Sequence, residues 1–242
     1  MPNMVQWTDP AGVVPHLGRE EAVARHQYYI GPEHLLVGLL QQDDFLRDAD
    51  SPGQGDDPVA DLLRARGLDL ATVRAGIGQL VAQGVLPGPQ LSDRELLATL
   101  GIDLDAVHER LKEEFGWEAW NDTAQWLGLR PVQPVPHAPG GGTPLTCHRA
   151  LLRACEEAEA RDTEVGPLHL LLGLLRDAER PVAEGLTPRE LRLRSMLGLP
   201  NSGPSPVKLL VEAEGLTLEE LQAAVRAALD GRSGGWASGP GG

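Results

Sequence analysis

The sequence predicts an all-α protein built from two diverged copies of one four-helix repeat, and three observations carry that prediction. A ten-residue segment recurs: GPEHLLVGLL at 31–40 returns as GPLHLLLGLL at 166–175, differing only at Glu33/Leu168 and Val37/Leu172. A second pair of segments, DPVADLLRARGLDL at 57–70 and SPVKLLVEAEGLTL at 205–218, follows the first in the same order. Aromatic residues are only 4% of a chain that is 41% hydrophobic, so the core must come from Leu, Val and Ala, which suit helices better than strands.

Each copy reads as four helices. The first is expected within EEAVARHQYY (20–29) and LTCHRALLRACEEAEARD (145–162), where Leu151, Leu152, Cys155 and Ala158 recur at helical spacing. A Gly-Pro pair then opens the second helix, whose Leu35, Leu36, Leu39 and Leu40 form an apolar stripe matched by Leu170, Leu171, Leu174 and Leu175. Asp57-Pro58 and Ser205-Pro206 each pair an N-cap acceptor with a first-turn proline, and Gly67 or Gly215 stops the third helix after about two turns. Asp69 caps the fourth helix in the first copy, while Thr217 with Glu220 forms a capping box in the second.

The repeats are expected to occupy 13–86 and 144–230, related by a pseudo-twofold axis. Gly31 and Asp57 lie 26 residues apart but Gly166 and Ser205 lie 39 apart, so the second copy carries 13 more residues there. That loop contains TPRELRLRSMLGL at 187–199, whose Thr187, Pro188 and Glu190 signal one extra helix. Between the copies a helical spacer at 91–130 repeats the cap logic once more, with Ser92 and Glu95 as a capping box and Gly101-Ile-Asp103-Leu echoing Gly67-Leu-Asp69-Leu. A Pro/Gly linker follows at 131–143, and SGGWASGPGG at 233–242 reads as a flexible tail.

Charge and composition narrow the partners. A net charge of −14 disfavours phosphate backbones and anionic lipid and favours a basic peptide or protein. The start lacks a signal peptide's basic and apolar regions, and no run approaches the roughly 18 apolar residues of a membrane span, so a cytoplasmic protein is expected. Cys147 and Cys155, eight residues apart on one helix, fit neither a CxxC pair nor a disulfide and read as reduced thiols, Cys155 buried.

The run Tyr29-Ile30-Gly31-Pro32-Glu33-His34-Leu35-Leu36, followed by a capped short helix and Gly-Leu-Asp-Leu, resembles the Clp amino-terminal (Clp R) domain family. In Hsp100-type unfoldases such as ClpC and ClpA that domain is a pair of four-helix repeats that recruits substrates and adaptors. The resemblance covers about two thirds of the chain, and the spacer is similar to that of stand-alone actinobacterial relatives. It departs from the family at Pro32 and Pro167, where Thr is usual, and at Val165 and Leu168.

The resemblance implies that Glu33, with His34 beside it, faces a partner, because the Glu of this motif in ClpC-like members helps hold the guanidinium of phosphoarginine-bearing substrates. Leu168 can neither accept a hydrogen bond nor bear charge, so the second copy lacks that function. Read on its residue type alone, Glu33 is a first-turn acid stabilised by the helix dipole. His34 and His169 recur amid Leu without a second ligand at i+4, which fits a buried histidine with a backbone partner rather than a metal site.

Catalytic motifs are not found. The sequence holds no HExxH and no GxxxxGK[ST], and its one GxSxG match, GRSGG at 231–235, opens the Gly/Ser-rich tail and not a strand-to-helix turn, so no catalytic residue, metal or cofactor is assigned. The tryptophans at 117, 120 and 126 are expected to pack in a core. The predicted function is a non-enzymatic protein-binding module of the Clp chaperone and protease system, acting as adaptor, substrate recruiter or decoy. The alternative is an enzyme or small-ligand-binding protein using the groove between repeats or the spacer helix, with His108, Glu109 and Glu113.

Overall fold

The computed structural model describes residues 6–27, 29–48, 58–89, 99–103, 106–107, 110, 113–114 and 145–233, with 43–48, 145–147 and 232–233 described by their backbone alone. Among these residues every regular element is a helix: α1 (Asp9–Ala24), α2 (Pro32–Asp48), α3 (Pro58–Arg64), α4 (Leu70–Ala82), α5 (Leu145–Glu159), α6 (Pro167–Ala178), α7 (Pro188–Met196), α8 (Pro206–Ala213) and α9 (Leu218–Ser233). Helices α1 to α4 correspond in order to α5, α6, α8 and α9, and α7 is the extra helix of the long loop. Both copies belong to one compact unit, Met1–Gly88 with Thr143–Gly242, while Pro89–Gly142 forms a second.

The first helix departs from expectation in both copies. Helix α1 starts at Asp9, well before 20, because the Thr8 hydroxyl accepts the Ala11 amide and Pro10 sits in the first turn. It ends at Ala24, and His26 then turns the chain with φ +53, so His26, Gln27 and Tyr29 are not helical. In α5 the buried line is Ala150, Ala154 and Ala158, whereas Leu152 is half exposed. Small residues are required there because a Cβ on Gly173 of α6 would fall 2.5 Å from the Ala150 oxygen. The first copy crosses in the same way, with a Cβ on Gly38 of α2 falling 2.5 Å from the Val14 oxygen of α1.

These crossings put α2 and α6 at the centre. Every residue from 31 to 40 is buried, as is every residue from 168 to 175, so each helix is covered all round and not along one stripe. Helix α2 packs on α1, α3 and α4 and also on α5, α6 and α8 of the other copy. One core results, running from Val14 through Leu36, Leu40 and Ile77 to Leu171, Leu175 and Leu221. A bridge between Trp7 and Val165 adds a main-chain link between the copies. Cys155 is half-buried beside Trp7, not fully buried, and burial with the Glu159 and Glu156 charges raises its thiol pKa.

Among the described residues, the predicted caps form with one exception. Asp69 accepts the Thr72 amide at 2.7 Å, and Thr217 with Glu220, like Thr187 with Glu190, forms a reciprocal box. Ser205 stands at the N-cap position of α8, but its hydroxyl makes no cap bond. In the second unit Gly101 has φ +76 and Asp103 accepts the Ala106 amide at 3.2 Å, the same stop and cap as Gly67 and Asp69. Asp57, Ser92, Glu95, the three tryptophans at 117, 120 and 126, the linker and residues 234–242 lie outside the described residues.

Candidate functional site

Helix α2 begins where the chain leaves Ile30, and its first turn is capped by a histidine. The Gly31 carbonyl accepts the amides of His34 and Leu35, and the Gly31 amide donates to His34 Nδ1 at 2.9 Å. With that lone pair engaged, the ring proton sits on Nε2 and is donated to Gln27 Oε1 at 2.7 Å. Gln27 in turn donates to the Pro87 carbonyl at 2.8 Å. Burial lowers the His34 pKa, opposed by the Glu33 charge, so the ring is neutral. His169 repeats the cap on the Gly166 amide at 3.1 Å, and burial lowers its pKa as well. Both histidines therefore have the backbone partner expected of them.

Glu33 lies in different surroundings. Its carboxylate folds against Gly31 so closely that a Cβ there would meet Oε1 at 2.2 Å, so a side chain at that position would displace the carboxylate. The residue is 0% exposed, as is His34, so neither of the two side chains expected to face a partner reaches the surface. Both carboxylate oxygens lack a hydrogen-bond donor, and although Oε1 is 3.6 Å from His34 Nδ1, that nitrogen is an acceptor. Leu168, the equivalent residue, is buried among apolar neighbours.

The carboxylate borders a cavity of about 10 Å³, room for about one water, with Tyr29 and Pro32 on its own side. The far wall comes from the second copy: Arg149, Asp177, Arg194 and Ser205. Arg149 Nε lies 3.0 Å from Asp177 Oδ1 as an ion pair, yet its N–H finds no aligned acceptor. Burial raises the Asp177 pKa against the pull of Arg149. Arg194 is 6% exposed and spends Nε and Nη2 on the Pro200 carbonyl at 3.1 and 2.7 Å. Burial and the Arg149 charge lower its pKa, while Glu33 across the cavity acts in the opposite sense. Two guanidinium groups thus share a buried space with an unbonded carboxylate.

A larger cleft of about 260 Å³ lies between α4 and α8, lined in part by Val73, Gly76 and Leu210. Of the spacer residues considered, Glu113 is exposed, while His108 and Glu109 lie outside the described residues.

A solved structure is similar. It is the N-terminal domain of the caseinolytic-protease-associated chaperone ClpD from Arabidopsis thaliana, at a TM-score of 0.47 and 14% identity, covering 95% of this chain and 99% of that one. No family model matches the sequence, and no curated protein matches it.

Sequence reasoning did not reach Arg149, Asp177 and Arg194. Arg194 lies on a helix that was expected, but its burial follows from how the long loop folds over the start of α2, which no local pattern encodes. A second missed feature was legible in principle: EEAVAR at 20–25 recurs as EEAEAR at 156–161. In both copies the second Glu pairs with the Arg four residues on, Glu21 with Arg25 at 2.7 Å and Glu157 with Arg161 at 2.6 Å. The next residues, His26 and Asp162, share the left-handed turn at φ +53 and +52.

Proposed function

We propose that this chain is a protein-binding module of the Clp chaperone and protease system, serving as an adaptor, substrate recruiter or decoy, with Glu33 as its partner-facing acid and His34 as the residue that sets the turn carrying it. The observation that carries the reading is the duplicated Gly-Pro-x-His-Leu-Leu-x-Gly-Leu-Leu unit, which supplies a histidine-capped helix start and a glycine crossing in each copy. That unit bears the resemblance to the Clp amino-terminal repeat. Support for a charged ligand comes from the asymmetry between copies: one holds an unbonded carboxylate where the other holds Leu168. A buried carboxylate whose two oxygens accept no hydrogen bond suits the two-pronged guanidinium of an arginine-bearing partner that gains access to it.

The test is affinity capture of the tagged protein from lysate, followed by degradation assays with the captured machinery. Enrichment of Clp subunits or their substrates is expected. An adaptor then raises the rate at which the Clp complex degrades a model substrate, and a decoy lowers it. Capture without any Clp component or substrate, together with an unchanged degradation rate, rejects the reading.

A further inference from the structure

The long loop of the second copy leaves and rejoins the body at one neck. Its neck closes where the Val182 amide donates to the Gly203 carbonyl at 3.1 Å, and between these points the chain makes its excursion through α7. The excursion is tied to itself by the two Arg194 bonds to Pro200 and by the Leu199 amide on the Arg194 carbonyl, and to the body near its start by Arg149 Nη1, which donates to the Glu184 carbonyl. Among the described helices α7 alone has no more than marginal packing against another helix, and its Met196 is 76% exposed. Gly185 and Gly203, at φ +75 and +97, flank it at the two ends. Those are conformations that glycine adopts without strain.

This piece closes the cavity over Glu33, because Arg194 and Leu199 form part of the wall opposite the carboxylate. The closed arrangement leaves an unmet demand. A carboxylate has about four acceptor positions, and a cavity of about 10 Å³ admits about one water. Desolvating Glu33 without donors opposes closure, whereas burial of Val182 and Leu199 favours it. Arg194 supplies positive charge but no hydrogen bond to Glu33, and its Nε and Nη2 donate to Pro200 instead.

We infer that residues 183–202 are a hinged cover over Glu33, with Arg194 as a built-in counter-charge that an arginine side chain of a partner replaces when the cover lifts. The inference rests on the reading of Glu33 as partner-facing, and it assigns the regulation of that site to the extra loop.

A reversible lock tests it. A Cβ at Gly198 would lie 3.6 Å from Pro87 Cβ, within the range that a disulfide spans, and because Gly198 holds φ +71 the reduced double variant serves as the control for the strain of that substitution. Pro87→Cys with Gly198→Cys, in a background with Cys147 and Cys155 changed to alanine, pins the cover when oxidised and frees it when reduced. The readouts are amide exchange at residues 29–35 and binding of a tri-arginine peptide. Oxidation is expected to slow that exchange at least about tenfold and to abolish peptide binding, both restored by reductant.

Slowed exchange with no peptide bound in either form keeps the cover and rejects the arginine reading of Glu33. Exchange unchanged by oxidation, or peptide bound equally in both forms, overturns the cover. A second variant replaces 184–201 with two glycines. It should speed exchange at 29–35 about tenfold, and an unchanged rate there also overturns the inference.

Discussion

His34 Nε2 lies 2.7 Å from Gln27 Oε1, and because Nδ1 of the same ring accepts the Gly31 amide, the imidazole is held as one neutral tautomer. His169 is held through the same atom by Gly166. Protonating either ring costs it the bond from the backbone amide.

Stability should therefore fall on mild acidification. The unfolded chain binds protons near the ordinary histidine value of 6.5, whereas both folded rings bind them only at lower pH. Their contribution is complete above that value and is lost as pH drops toward the depressed folded value, with a slope of up to ~1.4 kcal/mol per pH unit for each ring. Urea midpoints at about pH 7.5 and 5.5 measure it. His34→Gln keeps an acceptor for the Gly31 amide and should remove one proton's share of the slope. Equal midpoints for the parent at the two pH values would contradict the assignment.

The two glycine crossings should behave alike. Gly38→Ala and Gly173→Ala each force a methyl to within 2.5 Å of a carbonyl oxygen and should cost about 1–3 kcal/mol. Gly78, inside α4 with open space around its Cβ position, provides the contrast. Gly78→Ala should stabilise by about 0.5–1 kcal/mol. Thermal melts of the three variants decide this, and a neutral Gly38→Ala would mean the helices separate freely at that point.

Glu33 and Leu168 should separate binding from stability. Glu33→Gln preserves volume and removes a buried charge without a hydrogen-bond donor, so the fold should persist while affinity for an arginine-bearing ligand falls at least about tenfold. Leu168→Ala empties a buried site and should cost about 2–5 kcal/mol with affinity retained. Titration calorimetry and melting of both variants provide the comparison. Undiminished affinity in Glu33→Gln removes that residue from the site.

Glu21 anchors α1 to α4. Burial pushes its carboxyl up, but the bonds from Arg74 and Arg25 more than offset this and hold its pKa below 4.5. That contribution is present above pH 4.5 and is lost as the pH falls through the lower folded value. Glu21→Ala should cost about 1–3 kcal/mol by stranding two guanidinium groups. Arg74→Ala should cost ~1 kcal/mol or less, because Arg74 is 42% exposed. Denaturant titrations that rank the two variants in the opposite order would reject the anchor.

What could be read from the residues was local or repeated. The Thr217 and Thr187 boxes, the Asp69 cap, the short third helix and the extra helix after Thr187 all follow from chemistry within four residues. The start of α1 was hidden because Gly12, Pro15 and Gly18 look like breakers. Gly18 is instead demanded by contact, since a Cβ there would lie 2.8 Å from the His34 oxygen. The surroundings of Glu33 escaped for a related reason. Its neighbours Arg149 and Arg194 are more than a hundred residues away in sequence, and charge type alone does not show that a loop will cover it.

The shared cover of α2 has a consequence for the order in which the chain is made. During synthesis α1, α3 and α4 emerge soon before or after α2, but α5, α6 and α8, which cover its other sides, follow only after the whole spacer. Until then the Leu35 to Leu40 surface has half its neighbours, and Thr8 lacks the Val165 carbonyl that its amide and hydroxyl both reach in the finished molecule. The first copy leaves the ribosome as an incomplete body, and the spacer sets how long it must wait for the second to finish it.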